Sequence, residues 1–287
     1  MKSIYWFRND LRVDDNLSLN EAIESSDEIL FVYIQDVKNL NDTEWKFTRM
    51  DSHRKLYISQ GLNALQERLG SYGHSLNYYL GDTVGGLNNL VKKFQIDRIY
   101  CESIDSHEEL DEEKRLRDHK IDLYSLYQSG LFLNDQIPFH LNDLPDVFTK
   151  FRKDIELRNI NPIKPSLVNE KINAIISIVD EESITFNLQQ KDYSKSSFPI
   201  SENRFFGGED KGFKYLEYYF SSNKPATYKK TRNELMGTGF STKFSPWLAT
   251  GYISARQVYD FLLSYESNVI KNESTYWIFF ELLWREY

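Results

Sequence analysis

Trp277, Glu281 and Trp284 stand at i, i+4 and i+7 in "STYWIFFELLWREY" (274–287), which sets a carboxylate between two indoles on one face of a helix. A tryptophan stripe ordinarily packs a core. A carboxylate taken out of water, however, needs a charged or hydrogen-bonding partner. The pattern leaves two readings open: a packed stripe with a paired acid, or a pocket where a flat ring stacks on indole beside a hydrogen-bonding acid.

"STKFSPWLATGYISARQ" (241–257) carries a second kind of chemistry. Ser245 suits an N-cap and Pro246 the first helical position, so a helix is expected to begin there. Its free N–H groups and dipole would attract an anion, with Ser241, Thr242 and Lys243 adding donors. A third stretch, "WFRNDLRVDDN" (6–16), puts Arg8, Asn9, Asp10, Arg12, Asp14, Asp15 and Asn16 directly after an apolar run. At the C-terminal end of a parallel strand such a loop is either a ligand site or a turn whose charges pair with one another. Neither GxGxxG nor GxxxxGK[ST] occurs, and the glycines of "GDTVGG" (81–86) read as a turn. The five histidines show no metal spacing, and "HEELDEEKRLR" (107–117) puts acids before bases as a helix dipole prefers.

Five short apolar runs must position these groups: 3–7, 28–34, 75–80, 97–101 and 121–127. They alternate with helical patterns at 17–26, 50–69, 83–94 and 107–119, the last opening on Ser106 with Glu109 as a capping box. The alternation predicts an α/β fold: a five-stranded parallel sheet with helices on both faces, over residues 1–133. Residues 134–204 hold five of the seven prolines and few regular periods, and read as an inter-domain linker. From 205 to 287 the pattern is helical and aromatic. The last helix is still running at Tyr287 without a stop signal and is apolar on nearly every side, so this domain reads as incomplete.

The net charge of −8 argues against wholesale nucleic-acid binding but is uneven: residues 1–203 carry −10 and residues 204–287 carry +2. A polyanion is therefore expected at the C-terminal end. Cys101 is the only cysteine, which excludes an internal disulfide and fits a reducing compartment. The start is too short and too soon charged for a signal peptide, and no stretch is long enough to span a bilayer, so a cytoplasmic protein is expected.

Taken together, "WFRNDLRVDDN", "FTKFRK" (148–153), "GGE" (207–209), "TYKKTRNELMGTGFSTKFSPWLATGYIS" (227–254) and "TYWIFFELLWREY" (275–287) resemble the photolyase/cryptochrome family, its DASH-type cryptochromes in particular. The resemblance runs from end to end of the chain. It implies an α/β domain, a linker and a helical domain that holds FAD, with Ser241, Thr242, Lys243, Phe244 and Ser245 around the pyrophosphate and Tyr228 lining the flavin site. It implies that Arg232 lies near a DNA strand, that Glu281 and Trp284 meet a flipped-out pyrimidine dimer, and that Arg285 lies between flavin and DNA. The implied activity is light-driven splitting of cyclobutane pyrimidine dimers, in single-stranded DNA by preference, by a monomer with a folate antenna (methenyltetrahydrofolate) against the α/β domain. Signalling without repair, or a nucleotide-binding remnant without photochemistry, shares the same motifs. Two departures stand out. Family members continue past the point matching Tyr287, and "CESID" (101–105) replaces the His-Lys-Glu-like stretch of DASH proteins. The expectation is that 1–150 folds well alone, that 205–287 is loosely packed or associates through its exposed aromatics, and that the chain as given neither retains FAD nor repairs DNA.

Overall fold

Alternate side chains of an apolar strand face opposite ways, so continuous runs such as "SIYWF" need cover on both faces. In the computed structural model, which describes residues 1–184, 202–234 and 239–287, that cover is present. The strands are β1 (Lys2–Phe7), β2 (Glu28–Asp36), β3 (Leu76–Gly81), β4 (Arg98–Glu102) and β5 (Leu123–Leu126), all parallel, in the order β3-β2-β1-β4-β5. Ile4, Trp6, Leu30, Val32 and Ile99 face helices α3 (Thr83–Phe94) and α4 (His107–Asp118). Tyr5, Phe7, Ile29, Phe31 and Tyr100 face α1 (Leu17–Ser25) and α2 (Ser52–Gly70).

The sheet has six strands rather than the five expected. Ile176–Ser177 (β6), inside the stretch read as a linker, pairs in parallel with Glu28 and Ile29 of β2. The same stretch forms α5 (Phe148–Leu157), whose apolar face buries Phe148, Phe151 and Ile155. Ser106 does sit at the N-cap of α4, but its side chain makes no cap bond, so the capping box with Glu109 does not form.

The C-terminal part comprises α6 (Glu209–Phe220), α7 (Lys224–Thr231), α8 (Ser245–Ala249), α9 (Ala255–Asn268) and α10 (Glu273–Glu286). The expectation that it is loosely packed is overturned. Trp247, Tyr252, Leu216 and Leu283 are fully buried and belong to the same core as Tyr5, Phe31 and Leu62 of the α/β part. Aromatic contacts cross this boundary: Tyr57 of α2 meets Trp247 and Tyr252, and the Tyr252 hydroxyl donates to the Tyr57 carbonyl at 3.0 Å, whereas Trp284 and Tyr287 of the last helix stay partly exposed.

The loop after β1 joins the two parts. Arg12 donates to the carbonyls of Asp15 and Gly251 at 2.8 and 3.1 Å. Arg256 of α9 pairs with Asp15 at 3.0 Å, both side chains being fully buried, and donates to the carbonyls of Gln128 and Gly130 at 3.1 Å each. Gly251 has φ +67°, and any side chain there would run into the backbone of Asn9. Of the two readings of "WFRNDLRVDDN", Asp10 to Asn16 follow the second, with their polar groups spent on one another and on the helical part. Among the described residues no helix is long and apolar enough to cross a membrane.

Candidate active site

Helices α7 and α10 lie against each other, anchored where the Lys229 amide donates to the Ser274 hydroxyl at 3.2 Å. This brings Arg232, just past the end of α7, into an ion pair with Glu281. The partner that a half-buried Glu281 required is thus Arg232. The same guanidinium lies 5.1 Å above the Trp277 ring, and the Lys229 ammonium lies 4.9 Å from it. Trp277 stacks on Phe280 at 4.6 Å, and Phe280 meets Trp284 edge-on at 6.5 Å. Trp284 stacks almost flat on Phe148 of α5, 3.8 Å between centroids and 17° between planes, yet 48% of its surface is exposed. Arg152 of α5 sits 5.6 Å over Phe280. The outcome is a row of rings, Trp277, Phe280 and Trp284, flanked by Lys229, Arg232 and Arg152. Rings with an open π-face beside cations suit flat bases carrying phosphates.

Tyr228 is buried on α7. Burial first and the Glu281 charge second push its phenol above the usual range, with Arg232 opposing. Beyond Arg232 the motif residues 235–238 lie outside the described residues. Ser241, Thr242 and Lys243 are half-buried, and Lys243 takes the left-handed backbone at φ 58°. Phe244 is core, edge-on to Tyr219 at 5.0 Å and to Tyr215 at 6.1 Å.

The helix-start expectation needs correcting. Phe244 is the N-cap residue, its carbonyl accepting from the Leu248 amide at 3.1 Å, while Ser245 is already helical and exposed and makes no cap bond. Burial of Phe244 decides where the helix starts and outweighs the capping preference of serine. A five-residue helix also has little dipole to offer an anion. Any anion here rests on Ser241, Thr242 and Lys243.

Arg285 points to the α/β part and donates to the Ser129 carbonyl at 2.7 Å. Its neighbour Glu286, absent from the sequence reading, accepts from the amides of Leu131 and Phe132 at 2.5 and 3.3 Å. Phe148, Phe280 and Lys229 were also missed as parts of the aromatic row. Their only sequence signal was membership of the motifs "FTKFRK", "TYWIFFELLWREY" and "TYKKTRNELMGTGFSTKFSPWLATGYIS".

A separate crevice of about 310 Å³ opens over the C-terminal ends of β1, β2 and β4. Arg8, Asn9, Gln35, Arg49, Arg54 and Glu109 help line it. Arg8 is held by Glu113 at 2.8 Å and stacks 4.4 Å over Trp6, whereas the buried Gln35 Oε1 has no partner among the described residues.

Residues 3–167 match the family model described as DNA photolyase. The chain belongs to that family. It is 33% identical over 290 residues to a cryptochrome DASH of Idiomarina loihiensis, covering 99% of this chain and 62% of the relative. The crystal structure of Synechocystis cryptochrome superposes with a TM-score of 0.84 at 31% identity, covering 100% of this chain and 60% of that one. An archaeal photolyase from Sulfolobus tokodaii, whose structure is described as containing two FAD molecules, shares the fold at a TM-score of 0.69 and 22% identity, again over 100% and 60%. The chain thus spans about three fifths of the length of the relatives it matches.

Proposed function

We propose that the protein is a DASH-type blue-light flavoprotein that splits cyclobutane pyrimidine dimers, with a preference for single-stranded DNA. The observation that carries this reading is the Arg232–Glu281 pair beside a half-exposed Trp284, in a chain of the DNA photolyase family. Trp284 offers one open π-face to a base taken out of its stack, as lesion-processing proteins require. Arg232 neutralises Glu281 until a strand phosphate competes for the guanidinium, which frees the carboxylate for the edge of the base. A row of rings beside cations favours unpaired bases, hence single strands.

FAD, when bound, supplies the light-driven electron. The residues present fit its phosphate end, because Ser241, Thr242 and Lys243 offer half-buried donors that have no partner among the described residues. Tyr228 would border the cofactor. Arg285 serves as an anchor near the site, since its guanidinium is engaged by Ser129. A folate antenna is assigned to the crevice over β1, β2 and β4. Its acids come from α4 (Glu108, Glu109, Glu112), because Glu102, the carboxylate of "CESID" at the end of β4, is fully buried and does not line the crevice.

The purified chain, supplied with FAD, is the test: tighter binding of ultraviolet-irradiated than of unirradiated oligothymidylate, with loss of dimers under blue light, supports the reading and would overturn the expectation that this chain retains no FAD. Retained flavin without dimer loss would favour light sensing instead. Equal binding of both strands together with no flavin uptake would sink the photochemical reading.

A further inference from the structure

Five consecutive residues after β5 each give one backbone group to a side chain of the helical part. Gln128 and Gly130 offer carbonyls to Arg256, Ser129 offers its carbonyl to Arg285, and Leu131 and Phe132 offer amides to Glu286. Two of these three side chains come from the last turn of α10, immediately after Trp284. Glu286 is the one that reaches into the loop. A Cβ added to Gly130 would sit 2.8 and 2.9 Å from its two carboxylate oxygens, so the loop closes on the carboxylate with no room to spare. Trp284, by contrast, meets other rings among the described residues: flat on Phe148 and edge-on to Phe280 and Tyr287. Ring stacking is tolerant of sliding and rotation, whereas two N–H bonds to one carboxylate fix the height and the turn of a helix end.

We propose that Glu286 is a positioning residue. Its carboxylate latches the end of α10 into the 128–132 loop and so fixes the pose in which Trp284 presents its open face. The inference rests on the reading of Trp284 as the platform for a displaced base. Arg256 and Arg285 brace the same loop from the carbonyl side, so the latch ties the platform to the end of β5 in the sheet.

The test uses the full chain labelled with 5-fluorotryptophan, the Trp284 resonance being assigned by its loss in Trp284→Phe. In Glu286→Gln the Trp284 fluorine resonance should shift or broaden while that of the buried Trp247 stays in place. Affinity for oligothymidylate carrying one cyclobutane dimer should fall about tenfold, the factor that ~1.4 kcal/mol corresponds to. An unmoved Trp284 resonance in a folded Glu286→Gln overturns the proposal, and so does a moved resonance with undiminished lesion affinity. If Glu286→Gln does not fold, Gly130→Ala presses on the same carboxylate from the loop side, and the same two outcomes decide. Should the parent protein bind no lesion strand, the reading of Trp284 as platform fails by itself, while the resonance alone still shows whether Glu286 sets the pose of the ring.

Discussion

Arg256→Met should be among the most damaging single substitutions in this protein. The guanidinium is fully buried, meets both Asp15 oxygens at 3.0 and 3.3 Å, and reaches the carbonyls of Gln128 and Gly130 at 3.1 Å. Methionine fills the volume of the stem but, among the described residues, leaves Asp15 with only the Ser166 amide, at 3.1 Å, on its carboxylate. Removing one member of a buried pair typically costs ~3–5 kcal/mol, because the other charge stays in low dielectric. The two orphaned carbonyls push the figure towards the upper end. Against a total stability of ~5–15 kcal/mol this is a large share. With an m-value of about 3 kcal/mol/M, the urea midpoint should drop by about 1–2 M. Asp15→Asn added to Arg256→Met should recover part of the loss, since the stranded charge is then gone. Urea titrations followed by tryptophan fluorescence and far-ultraviolet dichroism read both effects. A single-variant shift below about 0.3 M with unchanged m would refute the reasoning, and would mean that water replaces the guanidinium at little cost.

Glu102, fully buried at the end of β4 with both oxygens unpartnered, has its carboxyl pushed up to about 8 by burial and then by Asp10, with Arg12 and Arg8 opposing. The native state therefore keeps a proton that the unfolded chain releases near 4.5, so stability falls as pH rises from about 4.5 to 8; Glu102→Gln should flatten that slope in melting temperatures across this range. Lys243→Gly relieves a left-handed backbone worth up to ~1–2 kcal/mol while deleting a cation, so thermal stability should hold or rise as FAD affinity, read by flavin fluorescence quenching, falls. Arg232→Ala should weaken binding of irradiated and plain oligothymidylate alike and lower the salt slope of log K by about one, measured by anisotropy; an unchanged slope would confine Arg232 to its pairing with Glu281.

The α/β half was legible because each of its strands is a short apolar run between helical periods, and the period alone distinguishes the two. β6 was not, since two residues, Ile176 and Ser177, carry no period at all; their place comes from the edge of β2 beyond the reach of β3. Helix α8 starts one residue before the position that local capping chemistry at Ser245 implies, because the burial of Phe244, a tertiary property, sets its first turn. The pairing of Glu281 was foreseen as a need, but the identity of Arg232 as its partner depends on how α7 crosses α10. Glu286 lay beyond sequence reasoning: nothing local separates an acid that enters a backbone loop from one that faces water.

The Asp15–Arg256 pair also constrains how the chain is made. Its members are 241 residues apart, so a ribosome that has finished all five long strands has yet to produce the cation for a carboxylate at the end of the first. At ~5–20 residues per second that interval is about 10–50 s. Through it the nascent α/β half must keep Asp15 and Arg12 hydrated and the Tyr57 side of α2 uncovered. The first strand can pair early, but the loop that follows it cannot take its final form until α9 emerges. A cell making this protein thus carries, for much of each synthesis, an intermediate with an unfilled seam, which is the species that chaperones and proteases would meet.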